Sequence, residues 1–249
     1  MEVNHLPYQC RVRRISLQES PNARTEIPDS VNCSFSDEDA GKFYIRKNVK
    51  IEIGKLLGAG GFGAVYEGKC LGRKIALKKL HRNTKNKHAV NESFLAEKVV
   101  LALKHRNIVR ILAATEMSNL KTDKLVVMEF AGHKNLLNVI NNENEKISKL
   151  RRLKFATDIV NALYFIHKLN IVHLDVKPAN IMVTVHDTCK LGDFGCCKVI
   201  NNGNDSPTTP TNSYLTGTLA YRSPELLKGK LLLFWFLNDY FDICCQLYR

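Results

Sequence analysis

The stretch VHLDVKPANIMV, residues 172–183, places three different polar groups in one short loop. Asp175 supplies a carboxylate, Lys177 an ammonium and Asn180 a carboxamide, and the loop lies between the predicted strands NIV and IMV. Such a loop can provide a general base, a phosphate-binding cation and a metal ligand together. Further along, Asp193 begins the tripeptide DFG after the predicted strand CKLG, which adds a second oxygen ligand suited to Mg²⁺.

A glycine-rich motif, GAGGFGAV at residues 58–65, lies between two predicted strands. Gly58, Gly60, Gly63 and Val65 follow the pattern G-x-G-x-x-G-x-V. Because glycine has no Cβ, the backbone N–H groups of such a loop can approach phosphate oxygens closely. In dinucleotide-binding folds the same glycine pattern leads from a strand into a helix, whereas a strand follows here. The alternative is a glycine-rich hairpin that binds no ligand.

Lys78 ends the apolar run IALK on the third predicted strand, where its ammonium can project toward phosphates under the glycine loop. The following predicted helix, residues 91–103, carries two glutamates that could hold this ammonium in place, Glu92 and Glu97. Five residues apart on a helix, they point about 140° away from each other, so at most one faces the lysine. We favour Glu97, because its neighbours on the helix are apolar.

The chain has 249 residues and divides by composition into a polar, a β-rich, a helical and an apolar segment. Residues 1–45 contain few apolar side chains and predict a disordered tail. Short alternating runs between residues 49 and 130 predict an antiparallel meander with one helix. After Gly132 the pattern is helical, and Ser148 is the predicted N-cap of a long helix. On that helix the residues predicted to share a face are Leu153, Ala156, Val160, Leu163 and His167.

The formal net charge is +13, but the basic residues are dispersed singly and in pairs rather than gathered in one helix or arm. Solvated strand and helix faces explain this distribution, so we expect no nucleic-acid partner. The eight cysteines show no C-x-x-C spacing, which favours free thiols in a reducing compartment over a zinc site. The longest apolar run, LLLFWFL at residues 231–237, is too short to span a bilayer. These features predict a cytoplasmic protein without a membrane partner.

Taken in order, the glycine loop, the strand lysine, the helix glutamate, H-x-D-x-K-x-x-N, DFG and SPE (223–225) resemble the eukaryotic protein kinases. Lys177, and Thr218 in GTLAYRSPE, look like the serine/threonine branch of that family. Four segments are most similar in sequence to the Mos group, which acts as a MAP kinase kinase kinase: HLDVKPAN, LGDFGC, VVMEFAG and SPELLKGK. The resemblance covers about residues 49–230. It implies an α+β, bilobal kinase fold, with an antiparallel β-rich N-lobe that has one helix and a mainly helical C-lobe.

The resemblance also implies that ATP and Mg²⁺ bind between the lobes. It assigns the α- and β-phosphates to Lys78, the γ-phosphate to Lys177, and the metal ions to Asn180 and Asp193. Asp175 would accept the proton of the substrate hydroxyl. The other positions implied to line the nucleotide site are Gly58, Gly60, Gly63, Val65, Ala76, Glu97, the gatekeeper Met128, the segment Glu129–Ala131 and Met182.

Leu174 stands where most kinases of the family carry an arginine before the catalytic aspartate. In those kinases an activation-loop phosphate must neutralise the arginine before the loop orders well. A leucine removes both the cation and that requirement. The sequence therefore predicts activity that does not depend on activation-loop phosphorylation, although the leucine could also serve simply to pack under the loop.

The resemblance ends after SPELLKGK, where kinases continue with an aspartate-containing helix and this chain continues with LLLFWFLNDYFDICCQLYR. We therefore expect a kinase domain at residues 46–230, with the N-lobe reaching about residue 130, an incomplete C-lobe, and an aberrant apolar tail at residues 231–249. Two hypotheses stay open. The first is an active, monomeric serine/threonine kinase, or a sequence whose full-length form is one. By the resemblance, its protein substrate is a MAP kinase kinase. The second is a truncated, catalytically weak fragment that binds ATP or a partner protein.

Overall fold

A computed structural model describes residues 51–81, 87–101, 103–115, 124–200 and 217–222. The predicted tail at residues 1–45, the SPE tripeptide and the predicted apolar tail at residues 231–249 lie outside these residues. The chain divides into two compact units. The first takes in the chain up to Arg82 together with Leu112–Met128, and the second takes in Asn83–Ile111 and the chain from Glu129 onward.

The first unit contains a five-stranded sheet with the strand order β1-β2-β3-β5-β4. Strands β1 and β2, and then β2 and β3, pair antiparallel, which confirms the predicted meander. The turn between β2 and β3 consists of Leu71 and Gly72, both with positive φ, the conformation of a two-residue hairpin whose twist matches that of the strands. The strands are β1 (Ile51–Ala59), β2 (Gly63–Cys70), β3 (Arg73–Leu80), β4 (Ile111–Ala114) and β5 (Leu125–Glu129).

Apolar side chains that alternate along these strands pack on one face of the sheet. Each buried aliphatic side chain of this kind contributes about 1.5–3 kcal/mol relative to leaving it in water. This packing fixes the register of β2 on β3, since a slip of one residue would turn every side chain to the opposite face. The cluster comprises Ile51, Cys70, Ile75, Leu77, Ala113, Leu125 and Val127, with Ile53 and Leu112 packed against it.

Within the described residues, the second unit combines three α-helices with two small sheets. One sheet has the strand order β6-β8-β9, and in the other β7 pairs antiparallel with β10. Helix α1 begins four residues before the predicted start and ends at Val99, because Leu101 and Leu103 bond to carbonyls three residues back in tighter turns. The elements are α1 (Lys87–Val99), β6 (Lys134–Asn135), α2 (Leu136–Ile140), α3 (Lys149–His167), β7 (Ile171–Val172), β8 (Ile181–Val183), β9 (Cys189–Leu191) and β10 (Lys198–Val199).

Helix α3 begins as predicted, since the Ser148 hydroxyl accepts a 3.2 Å hydrogen bond from the Arg151 N–H and caps the first turn. Its predicted shared face is only partly buried, because Leu153 is 64% and Val160 39% exposed. The helix has two apolar stripes, and the one that packs against the strands of this unit lies about a third of a turn away from the predicted one. The side chains buried along α3 are Phe155, Asp158, Ile159, Ala162, Leu163 and Ile166.

No helix within the described ranges is both long enough and apolar enough to cross a membrane.

Candidate active site

Three side chains of the second unit form a closed set of contacts around the predicted catalytic carboxylate. The Lys177 ammonium lies 2.8 Å from Asp175 Oδ2 and donates a 2.7 Å hydrogen bond to the Thr218 hydroxyl. Thr218 in turn donates a 2.8 Å hydrogen bond to Asp175 Oδ1. Asp175 is buried and Lys177 is half-buried, so these charge-assisted bonds are only partly screened by water.

Asn180 completes the surroundings of Asp175 from the other end of the loop. Its Nδ2 donates to the Asp175 backbone carbonyl at 2.8 Å and to Asp175 Oδ2 at 2.9 Å. The short turn Pro178–Asn180 brings it there, with the Asn180 N–H bonded to the Lys177 carbonyl. The Asn180 carbonyl accepts a bond from the Gly192 N–H, directly before Asp193. The structure thus joins Asp175, Lys177 and Asn180 and places the DFG segment beside them.

His173 links the catalytic loop to the DFG segment inside the protein. Its ring is fully buried, and Nδ1 accepts the Asp175 N–H at 3.3 Å. Nε2 therefore carries the proton that is donated to the Gly192 carbonyl at 3.0 Å. The ring also packs edge-on against Phe194, with 4.7 Å between centroids. The sequence motifs do not indicate this role of His173, which holds both segments through these contacts.

Leu174 is buried between His173 and Asp175 and has a φ of +63°, in the left-handed region. A leucine held in this conformation is unusual, and the surrounding contacts must over-determine it. One such contact comes from Gly217, which has a φ of +84° and lies so close to Leu174 that an added Cβ would collide with the Leu174 carbonyl. Glycine is therefore required immediately before Thr218.

The predicted metal ligand Asp193 is exposed and has a φ of +56°, directly before the turn Phe194–Cys196. Phe194 is buried, and its carbonyl accepts the Cys197 N–H at 3.1 Å. The Cys197 thiol donates a 3.3 Å hydrogen bond to the Ala96 carbonyl in the last turn of α1. This part of the DFG segment is therefore anchored on α1.

The glycine loop belongs to the first unit, and its glycines are of two kinds. Among the described residues, nothing lies within 4 Å of a Cβ built on Gly58, Gly60 or Gly61. On Gly63, by contrast, a Cβ would lie 2.8 Å from Leu80 Cα and would also collide with the Lys79 carbonyl. Of these four glycines, only Gly63 is required by the packing of β2 on β3. The three open glycines leave room for a ligand to approach the backbone.

Lys78 is 6% exposed on β3, where it lies opposite Val65 in the register with β2. Of the two candidate glutamates on α1, Glu97 is buried in the second unit. The Glu92 side chain is 49% exposed and lies 3.5 Å from His88 of the same helix. The burial of Glu97 and the exposure of Glu92 are consistent with the choice of Glu97. The pairing of Glu97 with Lys78 stays a prediction.

The segment predicted to contact adenine begins at Glu129, whose backbone and side chain both form hydrogen bonds with the backbone of Arg110. Its N–H donates to the Arg110 carbonyl and its Oε1 accepts the Arg110 N–H, each at 2.9 Å. The same Oε1 lies 2.7 Å from the Lys190 ammonium. Met182 is half-buried on β8 and lies opposite Lys190 of β9. The remaining predicted lining residues are Ala76 and Met128, both buried in the first unit, and Ala131, half-buried in the second.

One cysteine near the site is chemically inert. Cys189 on β9 is buried, and loss of hydration raises the pKa of its thiol to about 12, with the nearby Asp158 adding to the effect. A thiol with this pKa stays protonated at neutral pH and is a poor nucleophile. The four cysteines within the described residues, Cys70, Cys189, Cys196 and Cys197, are all buried.

Comparison with known proteins gives consistent matches. Residues 51–248 match the family described as "Protein kinase domain". The chain is 42% identical to "Serine/threonine-protein kinase mos" of Patiria pectinifera over 179 residues, which cover 72% of this chain and 51% of that protein. It is 39% identical over 189 residues to "Proto-oncogene serine/threonine-protein kinase mos" of Sus scrofa, with 70% and 54% covered. The mos protein of Mus musculus is 37% identical over 186 residues, again with 70% and 54% covered. The chain thus spans about half the length of the curated relatives it matches.

Proposed function

The chain belongs to the protein kinase family across residues 51–248, and from this membership we propose that it transfers the γ-phosphoryl group of ATP to a serine or threonine hydroxyl of a protein. The family match confirms the resemblance drawn from the sequence motifs and the α+β, bilobal fold class that goes with it. The observation that carries the proposal is the set of contacts joining Asp175, Lys177 and Thr218.

In the proposed reaction the substrate hydroxyl oxygen bonds to the γ-phosphorus while the bond from that phosphorus to the leaving ADP oxygen breaks. Asp175 accepts the hydroxyl proton. Thr218, Lys177 and Asn180 hold both of its carboxylate oxygens in fixed directions, so the base needs no reorganisation when the substrate arrives. Lys177 places a positive charge where negative charge spreads over the transferring group.

We assign Mg²⁺ to Asn180 and Asp193, whose oxygens are the hard ligands that this ion prefers. The fit can be tested on Asn180, because both hydrogen bonds that its side chain makes within the described residues leave from Nδ2. Its Oδ1 is therefore the atom suited to a cation. The exposed position of Asp193 suits a ligand shared between protein, phosphate and water. A metal ion held here would neutralise phosphate charge during the transfer.

For the nucleotide we assign the phosphates to the backbone of the glycine loop and to Lys78, and the adenine to the segment Glu129–Ala131. The open space around Gly58, Gly60 and Gly61 supports the first assignment, because a glycine needed only for packing would show a close neighbour, as Gly63 does. Val65, Ala76, Met128 and Met182 are assigned to the walls of the adenine site on the family resemblance.

As the protein substrate we propose a MAP kinase kinase, which would place the protein in a MAP kinase cascade. The support is the similarity of this chain to relatives whose names identify them as mos serine/threonine-protein kinases. We propose the cytoplasm as its location, because a free buried thiol such as that of Cys189 suits a reducing compartment.

The proposed activity can be tested with the whole chain, residues 1–249, and an Asp175→Asn variant as the matched control. We expect the wild-type chain to bind Mg·ATP, seen as a rise in melting temperature, and to phosphorylate a purified MAP kinase kinase on serine or threonine, located by mass spectrometry. The variant should keep the rise in melting temperature and lose the phosphorylation. Binding without transfer in the wild type would instead support the catalytically weak fragment, and absence of both would contradict a nucleotide site altogether.

A further inference from the structure

Lys190 belongs to the predicted strand CKLG, to which the sequence motifs assign no role in the site, yet it contacts the predicted adenine segment. Its ammonium is 2.7 Å from Glu129 Oε1, and the two side chains are 19% and 31% exposed. An ion pair at this distance that is mostly shielded from water is screened less than one at the surface. The two residues are 61 positions apart, so the contact is made by the fold and not by the local chain.

Glu129 receives this contact while both its backbone and its carboxylate are already bonded to Arg110. Lys190 adds a third attachment from a different element, strand β9. That strand leads within three residues to Asp193, the assigned metal ligand. One lysine therefore connects the segment assigned to adenine with the strand that directly precedes the assigned metal ligand Asp193.

The surroundings of Lys190 make Glu129 its natural counter-ion. The pKa of the His105 imidazole is lowered, mainly by burial and further by the positive charges of Arg106 and Lys190, which places His105 near Lys190. Lys190 is thus close to other basic groups and keeps a fixed position through its bond to one carboxylate. The matched comparison is Lys134, whose ammonium lies 3.6 Å from Glu145 with 62% of its side chain exposed.

We propose that Lys190 is a positioning residue for the nucleotide, which sets the place of the segment Glu129–Ala131 relative to Asp193 by holding the Glu129 carboxylate. The inference rests on the proposed function, because it takes ATP as the ligand and this segment as its adenine contact. It goes further in naming a residue that acts on nucleotide affinity without touching the reacting atoms. The effect of losing Lys190 should therefore fall on ATP binding and KM, with kcat little changed.

The test compares Lys190→Met, Lys190→Arg and the control Lys134→Met in the whole chain, by titration with Mg·ATP and with Mg²⁺ plus inorganic triphosphate. We expect Lys190→Met to weaken ATP binding about fivefold, the equivalent of about 1 kcal/mol. Lys190→Arg keeps the charge and should stay within about twofold of wild type, as should Lys134→Met. Triphosphate affinity should be unchanged in all three, because it has no adenine. Equal losses for ATP and triphosphate, or no loss for ATP, would overturn the inference.

A second measurement separates this inference from the proposed function. Hydrogen exchange of the Phe130 and Ala131 amides, measured in the protein without nucleotide, should quicken in Lys190→Met and not in Lys134→Met. Adding Lys190→Met to a Glu129→Gln background should produce no further change, since the pair is already broken. Unchanged exchange rates would show that Lys190 does not hold the segment. A wild-type chain that binds no ATP would contradict the proposed function, and with it the role in affinity, whatever the exchange rates show.

Discussion

Thr218 donates a 2.8 Å hydrogen bond to Asp175 Oδ1 although 43 residues separate the two in sequence. The same hydroxyl accepts the Lys177 ammonium at 2.7 Å, so it is joined to both groups assigned to phosphoryl transfer. We expect Thr218→Val, which keeps the shape and removes the hydroxyl, to lower kcat/KM by about tenfold or more, since hydrogen bonds to charged groups are worth about 1.5–3 kcal/mol. Thr218→Ser should restore most of the activity, and a serine variant as poor as valine would contradict a hydrogen-bonding role.

Asp175→Asn should abolish transfer while leaving ATP affinity within about threefold of wild type, because the carboxylate acts on the substrate hydroxyl and not on the nucleotide. Single-turnover transfer and ATP titration on the same preparation measure the two effects separately. The Asn180 bond to the backbone carbonyl of residue 175 does not involve the carboxylate, and the Thr218 hydroxyl can still bond to the new carboxamide, so the loop should keep its shape. Near-normal transfer by this variant would remove Asp175 from the role of base.

Because Leu174 replaces the usual arginine, we expect the kinase activity not to depend on phosphorylation of the loop after DFG. This loop contains two candidate phosphorylation sites that precede a proline, Ser206 and Thr209. Replacing both by alanine should leave basal activity within about threefold, or about 0.7 kcal/mol in the barrier. Leu174→Arg places a guanidinium at a position that is only 4% exposed, so that variant should lose activity until a nearby phosphate balances the charge. Activity assays before and after phosphatase treatment distinguish the two. Collapse of the alanine double variant with Leu174 intact would contradict this account of the leucine.

The two kinds of glycine in the loop should respond differently to alanine. Gly63→Ala drives a methyl group into the Lys79 carbonyl and Leu80, and overpacking of this kind costs about 1–3 kcal/mol. Gly60→Ala meets no neighbour among the described residues, so its unfolding temperature should match wild type while its affinity for Mg·ATP falls. Thermal unfolding without nucleotide, paired with ATP titration, checks both. Equal loss of stability in the two variants would refute the distinction.

Acid should remove one contribution to the stability of the second unit. Arg151 donates to both carboxylate oxygens of Asp187, at 2.7 to 3.0 Å, and this bonding holds the pKa of Asp187 below its ordinary value of 3.8 despite the opposing effect of burial. A lowered pKa means that the stabilisation is present above pH 3.8 and is lost as the pH falls through the lower folded-state value. Because the Asp187 side chain is 37% exposed, we expect a contribution of about 1 kcal/mol or less.

The corresponding experiment is thermal unfolding of Asp187→Asn and wild type from pH 7 downward, with the exposed Glu92→Gln as control. The difference caused by Asp187→Asn should be largest at neutral pH and should shrink as the pH falls through the lowered folded-state pKa of Asp187, below which the carboxyl is protonated in both states. A difference that stays constant across this range would show that charge at Asp187 does not contribute.

The sheet of the first unit and the polar loop at Asp175 could be predicted because their signals are local. Alternating apolar residues and closely spaced glycines specify strands and turns within a few positions. The hydrogen bond from Thr218 to Asp175 has no such local pattern, because the two residues are distant in sequence and meet only in the folded protein. The buried face of helix α3 could not be predicted for another reason, since two apolar stripes with helical spacing cannot be ranked before it is known which one meets the strands. Lys190 went unnoticed because a lysine alternating along a strand is ordinarily a solvated side chain.

The exposed apolar side chains of α3 also affect whether copies of the protein associate in solution. Leu150, Leu153 and Tyr164 are 77%, 64% and 55% exposed along one side of this helix, on a chain whose formal charge is +13. At low ionic strength, mutual repulsion keeps such particles apart, but its range shrinks from about 30 Å at 0.01 M salt to about 3 Å at 1 M. Attraction between apolar surfaces is not screened in this way. Added salt should therefore bring copies of this protein together, and dilute buffer should keep them dispersed.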